Sequence, residues 1–255
     1  MSRKNIAAGA TAAVPPVPPL TEDANAIIAV AAHELKNALG GIGVALARCE
    51  QRLAGGRAVT ADDLSIARGE LRRLSALVND LLDGARVDLG VVHVDRRPFD
   101  LAALAREVVA MFCAARGRSV ELDLPASAVE VTADAERVRA VLINYLENAA
   151  KYAPAPAGIT VRVGPSPALG VDAEVRLARV RLAVADDGPG IALGDQARLF
   201  QRFSRGAVAE RRAEGLGLGL YVCRAIAEAH GGDVGVTSRP GAGATFWLDL
   251  PAAPS

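Results

Sequence analysis

The sequence predicts an α+β protein in which an antiparallel helical hairpin, completed to a four-helix bundle by a second copy, precedes an α/β sandwich. Apolar or small residues recur at alternating spacings of four and three over two adjacent segments, 28–53 and 64–85. This is the heptad pattern of helices that pack along a seam. After Pro98 short strand-like stretches alternate with helix-like ones, which favours a sheet covered by helices. A chain of 255 residues is long enough for both domains.

The predicted domains are a leader over 1–20, the hairpin over 21–90 and the sandwich over 95–253. The leader is rich in alanine and proline, so we expect it to be extended or disordered. Thr21 is a predicted N-cap for the first helix, and Gly55-Gly56 ends that helix. Thr60, followed three residues later by Asp63, begins the second.

Each helix of the hairpin carries a predicted seam. The seam positions are Ile28, Ala32, Leu35, Leu39, Ile42, Leu46, Cys49 and Leu53 in the first helix, and Leu64, Ala67, Leu71, Leu74, Val78, Leu81 and Ala85 in the second. Val44, Ile66 and Leu77 are apolar but lie off the seams. One hairpin cannot bury both sets, so the sequence predicts a homodimer.

The second domain is predicted to contain three helices and a sheet. The helices are expected near 100–115, 134–152 and 218–230, and the strands near 119–124, 129, 159–163, 175–185, 234–238 and 245–250. Gly231-Gly232 offers a left-handed cap for the last helix. The expected arrangement is a sheet with helices on one face.

Composition narrows the classes of function. Lys plus Arg and Asp plus Glu number 29 each, so the chain has no general basic field, and we expect neither nucleic acid nor anionic lipid as a main partner. No apolar run approaches the roughly 20 residues of a membrane span, so we expect a cytoplasmic protein without membrane insertion. The three cysteines are widely spaced and are predicted to be reduced packing residues.

Three motifs carry the candidate chemistry of the second domain. They are NYLENAAKY at 144–152, DDGPG at 186–190 and GLGLGL at 215–220. Alternating glycines before a helix let backbone N–H groups approach phosphate oxygens, and the helix N-terminus favours negative charge. Asn144 and Asn148 lie one helical turn apart, and an amide oxygen is a suitable ligand for Mg²⁺. Asp186 ends a strand and is predicted to point inward, where its carboxylate needs a donor.

Two of these motifs, and a further one near the C-terminus, also have an ordinary explanation. The first fits an amphipathic helix with polar residues outward, the second a tight β-turn, and GAGATF at 241–246 a hairpin turn. In the hairpin, His33 lies beside the seam and faces outward with Asn37, as a plain surface histidine would. His93 and His230 are predicted to be structural.

The order of the three motifs resembles the ATP-binding domain of sensor histidine kinases, and AHELKNAL at 32–39 resembles their phosphoacceptor box. The resemblance implies that His33 is phosphorylated, that Glu34 orients it and accepts its proton, and that Asn37 orients water when the partner is dephosphorylated. A neutral imidazole is a competent nucleophile near pH 7. The sequence departs from the family at Ala38, where a proline is usual.

The resemblance also implies a binding site for ATP and Mg²⁺. Asn148 would bind Mg²⁺ with support from Asn144, Lys151 would contact phosphate, Tyr152 the ribose, and Asp186 the adenine amine, with room made by Gly188 and Gly190. Gly215, Gly217 and Gly219 would surround the phosphates, Arg202 or Arg205 would meet the γ-phosphate, and Thr245 would lie near the phosphates. LFQRF at 199–203 resembles the base of the nucleotide lid, where Phe200 and Phe203 are expected to pack.

The sequence therefore predicts an ATP-dependent protein histidine kinase that passes a phosphoryl group from His33 to an Asp of a response regulator receiver domain and also dephosphorylates that regulator. The leader is too short for a sensor, so we expect either a separate input protein or a longer parent chain. Two alternatives stay open: a phosphotransfer or scaffold protein with a degenerate ATP domain, and a hydrolytic ATPase of the same nucleotide fold. Such ATPases carry a catalytic Glu where this chain has Asn144.

Overall fold

The computed structural model describes residues 22–90, 92–167, 179–204 and 216–253. The predicted leader and the Thr21 cap lie outside these residues. Helix α1 (Glu22–Ala54) and helix α2 (Ala61–Asp88) form the hairpin. Thr60 caps α2 as predicted: its hydroxyl accepts from the Asp63 amide at 3.3 Å, and its own amide donates to the Asp63 carboxylate at 3.0 Å. The Thr60 hydroxyl and the Thr60 amide both donate to the Asp63 carboxylate and hold the pKa of Asp63 below its usual range.

Most of the buried apolar residues of the hairpin are small. Ala31, Ala38, Ala45, Cys49, Ala67 and Leu77 are buried. By contrast, the seam residues Leu39, Leu46, Leu53, Leu64 and Leu71 are each at least 50% exposed. These leucines are therefore not buried by a single hairpin, whereas Leu77, predicted off the seam, is 3% exposed. The exposed leucines leave a second apolar face on the hairpin.

The second domain contains the remaining elements. They are β1 (Arg97–Asp100), α3 (Leu101–Arg116), β2 (Glu121–Asp123), β3 (Glu130–Ala133), α4 (Ala135–Tyr152), β4 (Ile159–Pro165), β5 (Arg179–Asp186), α5 (Leu193–Gln196), α6 (Gly219–Ala229), β6 (Asp233–Ser238) and β7 (Ala244–Pro251). Strands β2-β4-β5-β7-β6 form one sheet in that order, and β1 pairs with β3 in a second. The sequence prediction missed β1 and the single turn of α5.

The core lies between the five-stranded sheet and helices α3, α4 and α6. Alternate residues of β5 and β7 face it, including Leu182, Val184, Phe246 and Leu248. The predicted sandwich with helices on one face is confirmed. This layering matters for the site because α4, the end of β5 and the start of α6 meet at one edge of the core.

Candidate nucleotide site and phosphoacceptor helix

The histidine predicted to accept phosphate is accessible. His33 and Asn37 are both exposed and lie one turn apart on α1. The predicted outward orientation is therefore confirmed. An imidazole in this position can meet a phosphoryl donor without any rearrangement of the hairpin.

Glu34 lies in the hairpin interface. Its carboxylate accepts a hydrogen bond from Nη2 of Arg73 on α2 at 3.0 Å, and the side chain is only 12% exposed. Arg73 also lies 3.9 Å from Glu70. The ion pair ties the two helices together directly beside His33, and the role of Glu34 toward the imidazole stays a prediction.

The asparagine pair on α4 lies against the first residue of α6. Nδ2 of Asn148 donates to Oδ1 of Asn144 at 3.1 Å, which leaves the carbonyl oxygen of Asn148 as the atom that could coordinate a cation. A Cβ on Gly219 would lie 2.1 Å from Nδ2 of Asn144. Only a glycine at position 219 lets Asn144 lie this close to the helix. The close contact brings both asparagines to the N-terminal turn of α6, where backbone N–H groups and the helix dipole favour phosphate.

Asp186 lies at the C-terminal end of β5. Its Oδ1 accepts from the amide of Gly188 at 2.8 Å, and the residue is buried. Burial raises the pKa of the Asp186 carboxyl, an effect that the Gly188 and Ala244 amides partly oppose. A buried carboxylate with one oxygen engaged by the backbone can accept a second donor, such as the exocyclic amine of adenine.

Two glycines of the predicted motifs hold positions that other residues would strain. Gly190 has φ +71° and lies against the Arg239 carbonyl, and Gly217 has φ +69° and lies against the Ser204 carbonyl. Both backbones need a left-handed conformation with no room for a Cβ. Gly188, by contrast, would place a Cβ 2.6 Å from Oδ1 of Asp186, so its lack of a side chain keeps the space beside that carboxylate open.

Comparisons with known proteins agree with this geometry. Residues 24–90 match the family model described as His Kinase A (phospho-acceptor) domain, and residues 133–254 match the model for histidine kinase-, DNA gyrase B- and HSP90-like ATPase. The chain is 35% identical to the adaptive-response sensory kinase SasA of Parasynechococcus marenigrum, over 88% of this chain and 56% of SasA. It is 33% identical to the sensor protein KdpD of Escherichia coli, over 89% of this chain and 24% of KdpD.

The chain belongs to the histidine kinase family. A solved structure of full-length ShkA in complex with AMPPNP is similar to it, with a TM-score of 0.59 and 28% identity over 91% of this chain and 46% of ShkA. The chain thus spans about a quarter of KdpD and just over half of SasA. Across the described residues, none of the helices combines the length and apolar character needed to cross a bilayer.

The other predicted site residues do not all lie together in the structure. Lys151 and Tyr152 are exposed at the C-terminal end of α4, with Nζ of Lys151 5.1 Å from the centroid of the Tyr152 ring. Thr245 pairs with Ala185 on β5. Because the neighbours of Thr245 on β7 face the core, its side chain lies on the opposite face of the sheet from Asp186. The structure therefore does not place the Thr245 side chain on the face of the sheet that carries Asp186.

The lid residues are engaged with the hairpin. Nη2 of Arg202 lies 2.6 Å from Oδ2 of Asp88 at the end of α2, and its guanidinium covers the ring of Phe203. The Tyr221 hydroxyl donates to the other oxygen of Asp88 at 3.0 Å. Phe200 packs on Phe246 in the core, as expected for a packing residue. Arg205 and Gly215 lie outside the described residues.

The glycine-rich motif also contacts the hairpin, which the sequence analysis missed. Leu216 and Leu218 are each 1% exposed and pack with Ala31, Ala38 and Leu77. A Cβ on Gly84 would lie 3.2 Å from Leu218, so that glycine makes room for the leucine. The signal was present in the sequence, since apolar residues between glycines need a surface to cover them. Ala38, which replaces the family proline, lies at the centre of this contact.

The same interface buries an acid of α2. Burial, with a smaller effect of Asp83, raises the pKa of Asp80 to about 6. Nearby, Asp83 lies 3.8 Å from Arg137 of α4. These two acids, on successive turns of α2, lie where the helix meets the ATP-binding domain.

Proposed function

We propose that the chain is an ATP-dependent protein histidine kinase that phosphorylates His33 and transfers the phosphoryl group to an Asp of a response regulator receiver domain. Two observations support the proposal: Asn144 lies between Asn148 and the start of α6, and Gly188 lies between the Asp186 carboxylate and Ala153 at the C-terminal end of α4. An exposed histidine on the phosphoacceptor-type hairpin supplies the nucleophile. The solved histidine kinase ThkA in complex with the response regulator protein TrrA shares the fold, with a TM-score of 0.61.

Different residues are proposed to bind the adenine, the phosphates and the metal ion. The Asp186 carboxylate accepts from the adenine amine, and the first turn of α6 offers N–H groups to the phosphates. The described residues contain no cluster of three or more His, Cys, Asp or Glu side chains that could hold a metal ion, so Mg²⁺ would be held by the Asn148 amide oxygen together with phosphate oxygens. Bound Mg²⁺ would neutralise charge on the phosphates.

Phosphorylation of His33 forms a bond between an imidazole nitrogen and the γ-phosphorus and breaks the bond to the β–γ bridging oxygen, so ADP leaves. The imidazole gives up its N–H proton in this step, and Glu34 is the carboxylate proposed to receive it. Asn37, exposed one turn from His33, is proposed to orient the water that dephosphorylates the regulator.

We also propose a homodimer that acts in the cytoplasm under the control of a separate input protein or domain. The exposed leucines of both helices support the dimer, because a second hairpin would bury them. Such a bundle would place two His33 residues on its outer surface.

The test is labelling of the full chain with γ-labelled ATP, followed by acid treatment of the product. Acid-labile label should appear on the wild type, and His33→Gln should abolish it while ATP affinity stays within about twofold, since the nucleotide site is in another domain. His93→Gln is the matched control and should label normally. Labelling that persists in His33→Gln would refute the acceptor. Phosphate release without labelling of the protein would favour the alternative of a hydrolytic ATPase. A complete lack of ATP binding would favour the alternative of a scaffold protein.

A further inference from the structure

Arg118 bridges the end of α4 to the loop that leads into β4. Its guanidinium donates to three backbone carbonyls: Ala150 at 3.3 Å, Ala153 at 2.5 Å and Ala157 at 2.8 Å. The carbonyls at a helix C-terminus have no partners within the helix, and a planar guanidinium can bind several of them at once. Arg118 therefore fixes where α4 ends relative to the following loop.

That loop is a wall of the nucleotide site. Ala153 is fully buried, and its Cβ lies 3.0 Å from the position that a Cβ on Gly188 would take. Gly158, next to Ala157, is held from the other side: its amide donates to the Asp187 carboxylate at 3.2 Å, and its carbonyl accepts from the Asp187 amide at 3.1 Å. Arg118 and Asp187 thus clamp residues 153–158 beside Asp186.

The charge of Arg118 also acts on Asp186. Burial, which has the largest effect, and the neighbouring Asp187 raise the pKa of the Asp186 carboxyl, while the amides of Gly188 and Ala244 and the positive charge of Arg118 lower it. The guanidinium therefore favours the ionised carboxylate, which is the form that accepts from an amine. A protonated carboxyl could instead donate to a carbonyl oxygen, such as that of guanine.

We infer that Arg118 is a positioning residue for base recognition, which holds the loop at 153–158 against the nucleotide and makes the site select a purine with an amine over one with a carbonyl. The inference rests on the proposed ATP site. It assigns to Arg118 an effect on nucleotide selectivity, and none on the chemistry at His33.

The experiment is titration of the full chain with ATP and with GTP between pH 5 and 8. The variants are Arg118→Met, Arg118→Lys and the control Arg162→Met. Arg162 contacts Asp123 on the surface of the same sheet at 3.1 Å. Arg118→Met should bind ATP about tenfold more weakly, the loss expected for hydrogen bonds from a charged donor, and its preference for ATP over GTP should shrink.

The pH dependence of ATP affinity distinguishes a positioning role of Arg118 from a general loss of structure in the variant. Affinity for ATP should fall as pH drops through the Asp186 pKa, and in Arg118→Met this fall should begin at higher pH. Arg118→Lys keeps the charge but reaches fewer carbonyls, so its affinity should be intermediate while its pH profile stays that of the wild type. Its titration remains informative if Arg118→Met does not fold.

Three outcomes would overturn the inference. These are an Arg118→Met variant with wild-type affinity and selectivity, an equal loss in Arg162→Met, and an Arg118→Lys variant with wild-type ATP affinity and ATP/GTP preference. A wild type that binds no ATP would refute the proposed function itself.

Discussion

Replacing Gly219 by alanine should weaken nucleotide binding with little effect on stability. The added Cβ would lie 2.1 Å from Nδ2 of Asn144, about 1.3 Å closer than the 3.4 Å at which ordinary contact begins. Because the obstructing atom is the end of a side chain, Asn144 can rotate away. It then loses its hydrogen bond to Asn148, which costs about 0.5–1.5 kcal/mol.

The helix itself partly compensates for that loss in the unliganded protein. Alanine is favoured over glycine in a helix interior by about 1 kcal/mol. Gly219 is the first residue of α6, so the helix offsets only part of the loss in the free energy of unfolding. No such offset acts on binding, because the asparagine pair is the proposed support of Mg²⁺. A loss of about 1 kcal/mol there lowers ATP affinity roughly fivefold.

The assay is titration of the full chain with ATP in the presence of Mg²⁺, together with thermal unfolding. Gly69→Ala on α2 is the control, because a Cβ there meets nothing within 4 Å. Removing the obstructing side chain with Asn144→Ala should make the alanine at position 219 harmless. If Gly219→Ala reduces affinity equally with and without Asn144, then contact with that asparagine is not the cause.

Three further predictions concern single side chains. Asp186→Asn should weaken ATP binding of the full chain by about 1–3 kcal/mol. Unchanged affinity in a nucleotide titration would show that Asp186 only stabilises the turn and does not bind adenine. Asn37→Ala should reduce dephosphorylation of the regulator more than labelling of His33, and equal losses in paired kinase and phosphatase assays would indicate a damaged helix. His230, whose pKa burial lowers, should contribute stability above the unfolded-state pKa of about 6.5 that is lost as pH falls toward its folded-state pKa. Chemical unfolding at pH 7.5 and 5.5 should therefore show a smaller pH effect in His230→Gln than in wild type, whereas His93→Gln should match wild type.

The prediction for His230 follows from its two hydrogen bonds. Nε2 lies 2.9 Å from the amide of Asp134 and accepts from it, and Nδ1 lies 2.7 Å from the Ile226 carbonyl. Only a neutral imidazole can accept and donate at the same time. Protonation would remove the acceptor at the N-cap of α4. The buried and doubly hydrogen-bonded His230 has the structural role predicted from the sequence, and the pH dependence is what this role predicts.

The sequence correctly predicted those helix ends and turns that are set by interactions between residues close together in the chain. The Thr60 capping box, the start of α4 near residue 134 and the glycine turn at Gly231 all appear as expected. Strand β1 was missed because four residues carry too little alternation, and because its partner β3 lies 30 residues further along the chain. Pairing at that separation leaves no local trace.

The hairpin seam shows a different limit. Heptad spacing identifies residues that a bundle buries, but contacts within a chain and contacts between chains are both apolar. The pattern therefore could not distinguish Ala38, which is buried within one chain, from Leu39, which is exposed. Arg118 was missed for a third reason: its partners are backbone carbonyls, which every residue has.

The leucines and glycines of the segment around Leu216 and Leu218 face different partners. The leucines are buried on the hairpin beside Ala38, while Gly219 lies against Asn144 at the nucleotide site. Because this segment contacts both the hairpin and the nucleotide site, its contact with the hairpin and the binding of nucleotide are thermodynamically linked. If nucleotide binding displaces the leucines from the hairpin, the hairpin contact must weaken nucleotide binding by the same free energy. Under the proposed function, the hairpin is then an effector of the ATP site as well as its substrate.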